Sequence, residues 1–384
     1  MSVAIVGAAE LPQGRSTLPT TMALHEELCR RATEDAGIRL EDLDLILTVS
    51  PRSDPYLIHA TALAEHLGIH PALAMTLEAG GAAPAAMVDV ARGLIANGTA
   101  QTALVVAADM PLSSVTRDAY VNTLTEAGPV HPDLERPFGP SVPSLFALVA
   151  QSYMDRYGAT ADHFAAVALQ NRRSAQLHPN AHMREPLDAD AYYASRMIAD
   201  PLRLLDCAPV SDGGGAVVLT SAERARDLPA KAVHVLGAGF STGHMHLSAA
   251  SSLTEFQAGE ALQRALGQAG CKREDIDLAL VYDCFTIAML VNLEDMGFAE
   301  RGGAGRAFLE GRFASGSRVP VNTHGGLLSH GHPARAGGMG NLIEAVVQLR
   351  GEAGDRQKAD AALAMVHGMG GAFANHGVVL LGRS

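Results

Sequence analysis

Two stretches of the chain are written twice at nearly the same spacing. Val3–Gly7 (VAIVG) returns as Val233–Gly237 (VHVLG), 230 residues on, and Leu40–Leu47 (LEDLDLIL) returns as Arg273–Leu280 (REDIDLAL), 233 residues on. Paired motifs at nearly equal offsets mark an internal duplication, so the fold has to be built from two copies of one unit. Within the first copy, apolar strands at Val3–Gly7, Leu45–Val49, Ala72–Leu77 and Ala103–Ala108 alternate with helices at Thr21–Ala36, Ile58–Leu67 and Ala82–Ala96. That alternation predicts an α/β protein whose parallel strands are covered on both faces. In the second copy, Gly325–Gly338 and the helix behind it stand opposite Gly80-Gly81 and the Ala82 helix. Ala362–Val366 likewise stands opposite Ala103–Ala108. The duplication therefore predicts two helix N-termini meeting near a pseudo-twofold axis.

At 384 residues the chain exceeds what one core usually supports. The reading is an N-terminal half over 1–228 and a C-terminal half over 229–384. Residues 110–200 interrupt the rhythm with Pro, His, Arg and Tyr and read as an inserted loop region, with several helices, lying over the site. A strand at Ala216–Thr220 follows a glycine turn. A net charge of −12 argues against nucleic acid as a partner. With no run of eighteen apolar residues, no membrane span is expected, and the N-terminus lacks the pattern of a secretory signal. Four scattered cysteines are expected to be reduced thiols in a cytoplasmic protein.

The densest chemistry lies in Arg318–Val347, RVPVNTHGGLLSHGHPARAGGMGNLIEAVV. Its glycines permit left-handed backbone and close approach to a ligand. The helix that follows points unsatisfied N–H groups at whatever sits there. Imidazoles at that mouth, His332 first and His330 beside it, are suited to donating to an oxyanion. The His-x-His pairs His330/His332 and His244/His246 lack accompanying cysteines, so no metal site is expected. Tyr282 ends a buried strand ahead of an acidic residue and is a candidate acid/base, provided its environment favours the phenolate. Cys284 is a second candidate, with a small buried hydrophobe as its plain alternative. Arg172 and Arg173 are candidates for holding the phosphates of a ligand, with a solvated helix face as the alternative.

Tyr282-Asp283-Cys284-Phe285, Pro320–Pro333 (PVNTHGGLLSHGHP), Pro201–Ala216 (PLRLLDCAPVSDGGGA) and Gln170–Ala181 together resemble the thiolase superfamily, and within it the sterol carrier protein X-type and lipid-transfer-protein aldolase branch. Gly331-His332-Pro333 is the most specific of these, and the resemblance spans nearly the whole chain. It implies the five-layer αβαβα thiolase fold, a homodimer, a coenzyme A thioester as substrate and no bound cofactor. The sequence also departs from the family in ways that bear on chemistry. Gly81, in Gly81-Ala82-Ala83-Pro84, stands where the family has its nucleophilic cysteine, and Tyr282 replaces the histidine of the family's HDCF motif, which reads Tyr282-Asp283-Cys284-Phe285 here. The late cysteine loop reads His367-Gly368-Met369-Gly370-Gly371, and His330 stands where the aldolase branch has a second tyrosine.

Acyl transfer through an acyl-enzyme needs a thiolate, and Gly81 offers none. The resemblance then implies a carbon–carbon lyase: a retro-aldolase on a β-hydroxyacyl-CoA, as in steroid side-chain degradation. Tyr282 would be the base, with His332 and His330 on the enolate oxygen. Backbone N–H groups of Gly81, Gly370 and Gly371 would form a second oxyanion site. It also implies an OB-fold, zinc-ribbon partner protein. The alternatives are a Claisen-type acyltransferase using Cys284 and a non-catalytic acyl-CoA-binding subunit.

Overall fold

In the computed structural model, which describes residues 2–116, 118–120, 122–123 and 128–383, the two halves share one hydrogen-bonded sheet. The strands, in chain order, are β1 (Val3–Glu10), β2 (Leu45–Thr48), β3 (Leu73–Thr76), β4 (Thr102–Asp109), β5 (Met197–Ala199), β6 (Leu202–Arg203), β7 (Gly213–Ser221), β8 (Val233–Thr242), β9 (Leu278–Leu280), β10 (Leu363–Gly370) and β11 (Asn375–Arg383). The short β5 and β6 pair with each other, apart from the rest. The order across the main sheet is β3-β2-β4-β7-β1-β8-β11-β10-β9.

That order is a palindrome of the repeat. β2 pairs parallel with β4, β4 antiparallel with β7, and β7 antiparallel with β1. In the second half β9 pairs parallel with β10, β10 antiparallel with β11, and β11 antiparallel with β8. The halves join where Ala4 and Ile5 face His234 and Val233. The repeat departs at the far edge: β3 has only an isolated parallel bridge, Ala279 to Val321, as its counterpart among the described residues. Even the turns repeat. Asp42 accepts from the N–H of Arg39 at 3.0 Å, and Asp275 accepts from the N–H of Lys272 at 2.8 Å, each opening a short 3-10 turn before its strand.

The pleat explains the layers, because successive side chains on a strand point to opposite faces. Val3 and Ile5 of β1 join Leu45, Leu47, Val105 and Val217 in a cluster with Val235, Leu280, Val366 and Val379 of the other half. The alternate residues Ala4, Val6, Ile46, Leu104 and Val106 face the other way, onto Leu24 and Leu28 of the Thr21–Ala36 helix. The shared inner cluster is filled by the Ala83–Ala96 and Gly338–Arg350 helices, sandwiched between the two halves of the sheet. Helix, half-sheet, central helix pair, half-sheet and helix give the αβαβα order expected. Each fully buried Val, Leu or Ile in these clusters stabilises the fold by roughly 1.5–3 kcal/mol.

The helix ends follow their sequence signals. Thr20 caps the first helix by accepting the Ala23 N–H at 3.1 Å, and Gly37, at φ 70°, ends it. Pro84 sits in the first turn of the Ala83–Ala96 helix. Residues 110–200 carry helices Val142–Tyr157, Ala161–Gln176 and Ala189–Ala194, and they cover the second half through the cluster around Phe146, Phe164 and Tyr192. One expectation fails here. His367–Gly370 is not a loop but the end of β10, held in register by Val378, Gly377, His376 and Asn375 of β11, a strand the sequence reading did not find. No helix among the described residues is long and apolar enough to cross a membrane.

Candidate active site

The two central helices begin against each other, and the backbone there is packed to contact distance. A Cβ on Gly338 would lie 2.7 Å from the carbonyl oxygen of Gly81, and one on Gly368 would lie 2.6 Å from the same atom. A Cβ on Gly80 would lie 2.8 Å from Cα of Gly370. Gly80, at φ 56°, and Gly371, at φ 63°, also hold left-handed backbone that favours glycine. The duplication thus brings the segments of Gly81 and Gly370 to one place.

Tyr282 fills the space this creates. A Cβ built on Gly81 would meet the Cε2, Cζ and hydroxyl oxygen of Tyr282, each at 2.4 Å. The space a side chain at residue 81 would need is occupied by a phenol arriving from the other half. That phenol is 3.2 Å from Nε2 of His332, with the rings edge to face at 6.0 Å. Burial and the neighbouring Cys284, Tyr120 and Asp283 charges push the Tyr282 hydroxyl well above its ordinary range, so it rests as a neutral phenol. Nothing among the described residues draws that proton away, contrary to the expectation of a partly ionised tyrosine. Burial pushes His332 down to about 4, so this imidazole is neutral at pH 7. A neutral phenol against a neutral imidazole can pass one proton without either group being ionised at rest.

Both groups are held from behind. The Tyr282 carbonyl accepts from Nδ2 of Asn292 at 3.1 Å, and its N–H lies 3.4 Å from Nδ1 of His367. The preceding residue, Val281, is gripped on both sides by the Asn322 amide, at 2.7 and 2.9 Å. The Asp283 carboxylate accepts the N–H of Leu327 at 2.7 Å and Nδ2 of Asn171 at 2.5 Å, tying the tyrosine strand to the glycine turn and the inserted helices. A Cβ on Gly326 would lie 2.1 Å from that carboxylate, which explains the second glycine of Gly325-Gly326. The Ser211 hydroxyl accepts the His332 N–H at 3.2 Å and pairs with Nδ1 of His182 at 2.9 Å, while the His332 carbonyl accepts from the Ser211 N–H at 3.3 Å. Asn322, Ser211, Asp283 and Tyr120 were not read from sequence as site residues. The first three lie inside motifs already singled out, whereas Tyr120 gave no signal.

The other candidates scatter. His330 is buried and turned away from Tyr282, with its Nε2 3.2 Å from the Glu10 carboxylate and its ring against His178 and His324. It does not share the place of His332. Cys284 is buried, and burial holds its thiol well above the usual thiol range, the reverse of what a nucleophile needs. The arginine pair splits. Arg172 is buried, its Nε donating to the Ser329 hydroxyl at 3.3 Å and its Nη1 to the Glu185 carbonyl at 3.1 Å. Arg173 is exposed and borders a cavity of about 400 Å³ with Leu169, Phe308 and Arg356. Of the second His-x-His pair, His244 is committed to the Ala372 carbonyl at 3.0 Å and His246 packs on His131.

Burial of imidazoles also sets a pH dependence. His332, His178, His25 and His59 are each pushed down to about 4 from an ordinary 6.5, first by burial. The unfolded chain takes up these protons near pH 6.5 and the folded chain does not until about pH 4. Their contribution to stability is complete above about 6.5 and is lost as pH falls toward 4. Thermal melts are therefore expected to show Tm falling steadily over that window. A flat Tm from pH 6.5 to 4 would contradict the burial described for these four side chains.

The segment 239–383 matches the family model described as Thiolase C-terminal domain-like. Over the whole chain, the sequence is 32% identical to an acetyl-CoA acetyltransferase of Methanothermobacter thermautotrophicus, covering 99% of each. It is 31% identical to the 17-hydroxy-3-oxo-4-pregnene-20-carboxyl-CoA lyase of Mycobacterium tuberculosis, covering 91% of each. The solved structure of the Ltp2-ChsH2(DUF35) aldolase superposes with a TM-score of 0.88 at 30% identity, over 100% of this chain and 98% of that one.

Proposed function

Because the chain belongs to the thiolase superfamily, in its sterol carrier protein X-like branch, we propose that it is an acyl-CoA carbon–carbon lyase, cleaving a β-hydroxyacyl-CoA by a retro-aldol reaction. The observation that carries the proposal is the Tyr282 phenol, seated in the space a side chain at residue 81 would need and bonded to His332. An acyl-enzyme cannot form on a glycine, whereas a retro-aldol step needs only a base for the hydroxyl and a place for the enolate.

In that reaction the substrate hydroxyl gives its proton to the Tyr282 oxygen as the phenol proton passes to Nε2 of His332. The bond between Cα and Cβ breaks, the β-carbon becomes a ketone or aldehyde carbonyl, and the electron pair moves onto Cα and the thioester oxygen. Protonation of Cα, with the proton held by His332 as its source, yields the shortened acyl-CoA. The imidazolium and the enolate arise together, so each is stabilised only when the other exists. Such an arrangement favours the transition state over the ground state. Backbone N–H groups around Gly81, Gly370 and Gly371 are the proposed oxyanion donors. Tyr120, buried and close enough for its ionisation to be felt by Tyr282, is a further proton donor to test. Arg173, the exposed member of the arginine pair, is the proposed contact for a CoA phosphate.

The rival reading is Claisen-type acyl transfer through Cys284, supported by the acetyl-CoA acetyltransferase relative. Intact-mass analysis after incubation with an acyl-CoA separates the two. The expected result is unmodified protein together with turnover of a β-hydroxyacyl-CoA; a stable acyl adduct on Cys284 would favour the rival. A homodimer and an OB-fold, zinc-ribbon partner belong to the same proposal. The partner is supported by a structural relative that is a complex of two named proteins. Co-purification, followed by a panel of β-hydroxyacyl-CoA and β-ketoacyl-CoA substrates, tests partner and reaction together.

A further inference from the structure

We propose that Glu10, His178 and His330 form a binding site for one divalent transition-metal ion of the zinc type, set directly behind the turn that carries His332. The three residues come from distant parts of the chain. Glu10 is the last residue of β1, His178 follows the Ala161–Gln176 helix, and His330 ends the short Gly326–Ser329 helix. One ligand atom from each lies within 4.8 Å of the other two. Nε2 of His178 is 3.2 Å from Oε1 of Glu10, and Nε2 of His330 is 3.2 Å from Oε2. A tetrahedral zinc ion with arms of about 2.0–2.2 Å sets its ligand atoms roughly 3.3–3.5 Å apart, close to these separations. Two imidazoles and one carboxylate are also the donor set this ion takes when a fourth position is left for water.

A second observation points to an ion rather than to hydrogen bonds alone. His330 is 2% exposed, yet its Nε2 has no hydrogen-bond partner although a carboxylate oxygen is 3.2 Å away. The nitrogen is close to the carboxylate but not aimed along it. The carboxylate contact does not make a hydrogen bond, which leaves this buried nitrogen available to a third atom shared with Glu10 and His178. The charge balance is suitable. Glu10 supplies the one carboxylate of the set, and the neighbouring Glu344 is already matched by Arg356 at 2.9 Å. Asn180 supports the carboxylate with an Nδ2 contact to Oε1 at 2.9 Å, the kind of outer contact that orients a ligand.

One existing contact has to open. The Asn180 N–H donates to Nδ1 of His178 at 3.2 Å, which keeps that imidazole's own proton on Nε2. Ligation through Nε2 moves the proton to Nδ1 and releases the Asn180 N–H. Metal binding is therefore expected to leave a mark on the protein itself. The test uses the full chain, stripped with a chelator and titrated with zinc by calorimetry, with cobalt as a coloured probe. The expected result is one saturable site per chain, a visible cobalt band of tetrahedral type, and faster hydrogen exchange at the Asn180 amide in the zinc-loaded protein. Glu10→Gln and His330→Asn are each expected to weaken zinc binding by at least about tenfold. Absence of saturable binding by the wild-type chain would overturn the proposal, and so would variants that bind zinc as the wild type does. The exchange measurement on the wild type decides the matter even if both variants fail to fold.

Discussion

Tyr282→Phe is expected to lower kcat/KM for retro-aldol cleavage of a β-hydroxyacyl-CoA by about 10²–10⁴-fold, the usual worth of a positioned acid/base. At about 1.36 kcal/mol per tenfold, that is about 3–5 kcal/mol of transition-state stabilisation. The same change removes a single hydrogen bond, 3.2 Å long, from the folded protein. Its effect on stability is expected to be only about 1 kcal/mol, so a large kinetic loss with a nearly unchanged Tm is the signature of a catalytic phenol. The loss should appear in kcat rather than in KM, because Tyr282 acts when the hydroxyl proton moves. A variant that keeps full lyase activity would remove Tyr282 from the mechanism and with it the proposed reaction.

Much of this arrangement could be read from the chain because the duplication is written in apolar strands and their turns. Val3–Gly7 and Val233–Gly237 do begin matching strands, and Gly338 does start a helix against Gly81. Pleat and helix periodicity are local, so they survive in the sequence. What sequence could not show is which side chains meet after folding. His330 and His332 are two residues apart yet serve different places, since the turn at Gly331, with φ 152°, sends them in opposite directions. Arg172 and Arg173 are neighbours on a helix, where each residue turns about 100° from the last, so one is buried and the other exposed. The partners of His330 lie at positions 10 and 178, beyond the reach of any spacing rule. Tyr282 stood out by its motif, but its raised hydroxyl follows from burial by residues of both halves.

Gly81→Ala is expected to do nearly as much damage as removing the phenol, and for a reason that a double-mutant cycle can isolate. Gly81 has no left-handed φ, so alanine suits its backbone; in an open setting that change stabilises a protein by about 0.4–1 kcal/mol. Here the new methyl would sit 2.4 Å from the Tyr282 ring and hydroxyl. Overpacking of this kind typically costs about 1–3 kcal/mol, and the ring must leave His332 to relieve it. Denaturant melts should therefore show Gly81→Ala destabilising the wild type, while kcat/KM falls by about 10²-fold or more, as for loss of the acid/base itself. In a Tyr282→Ala background the clash is gone, and Gly81→Ala should turn neutral or stabilising. The coupling between the two positions is then expected to lie at the upper end of the roughly 0.5–3 kcal/mol seen for residues in contact. Equal effects of Gly81→Ala in both backgrounds would mean that the glycine does not exist to admit the tyrosine. The absence of a side chain at residue 81 would then need a different explanation from the one on which the proposed lyase reaction rests.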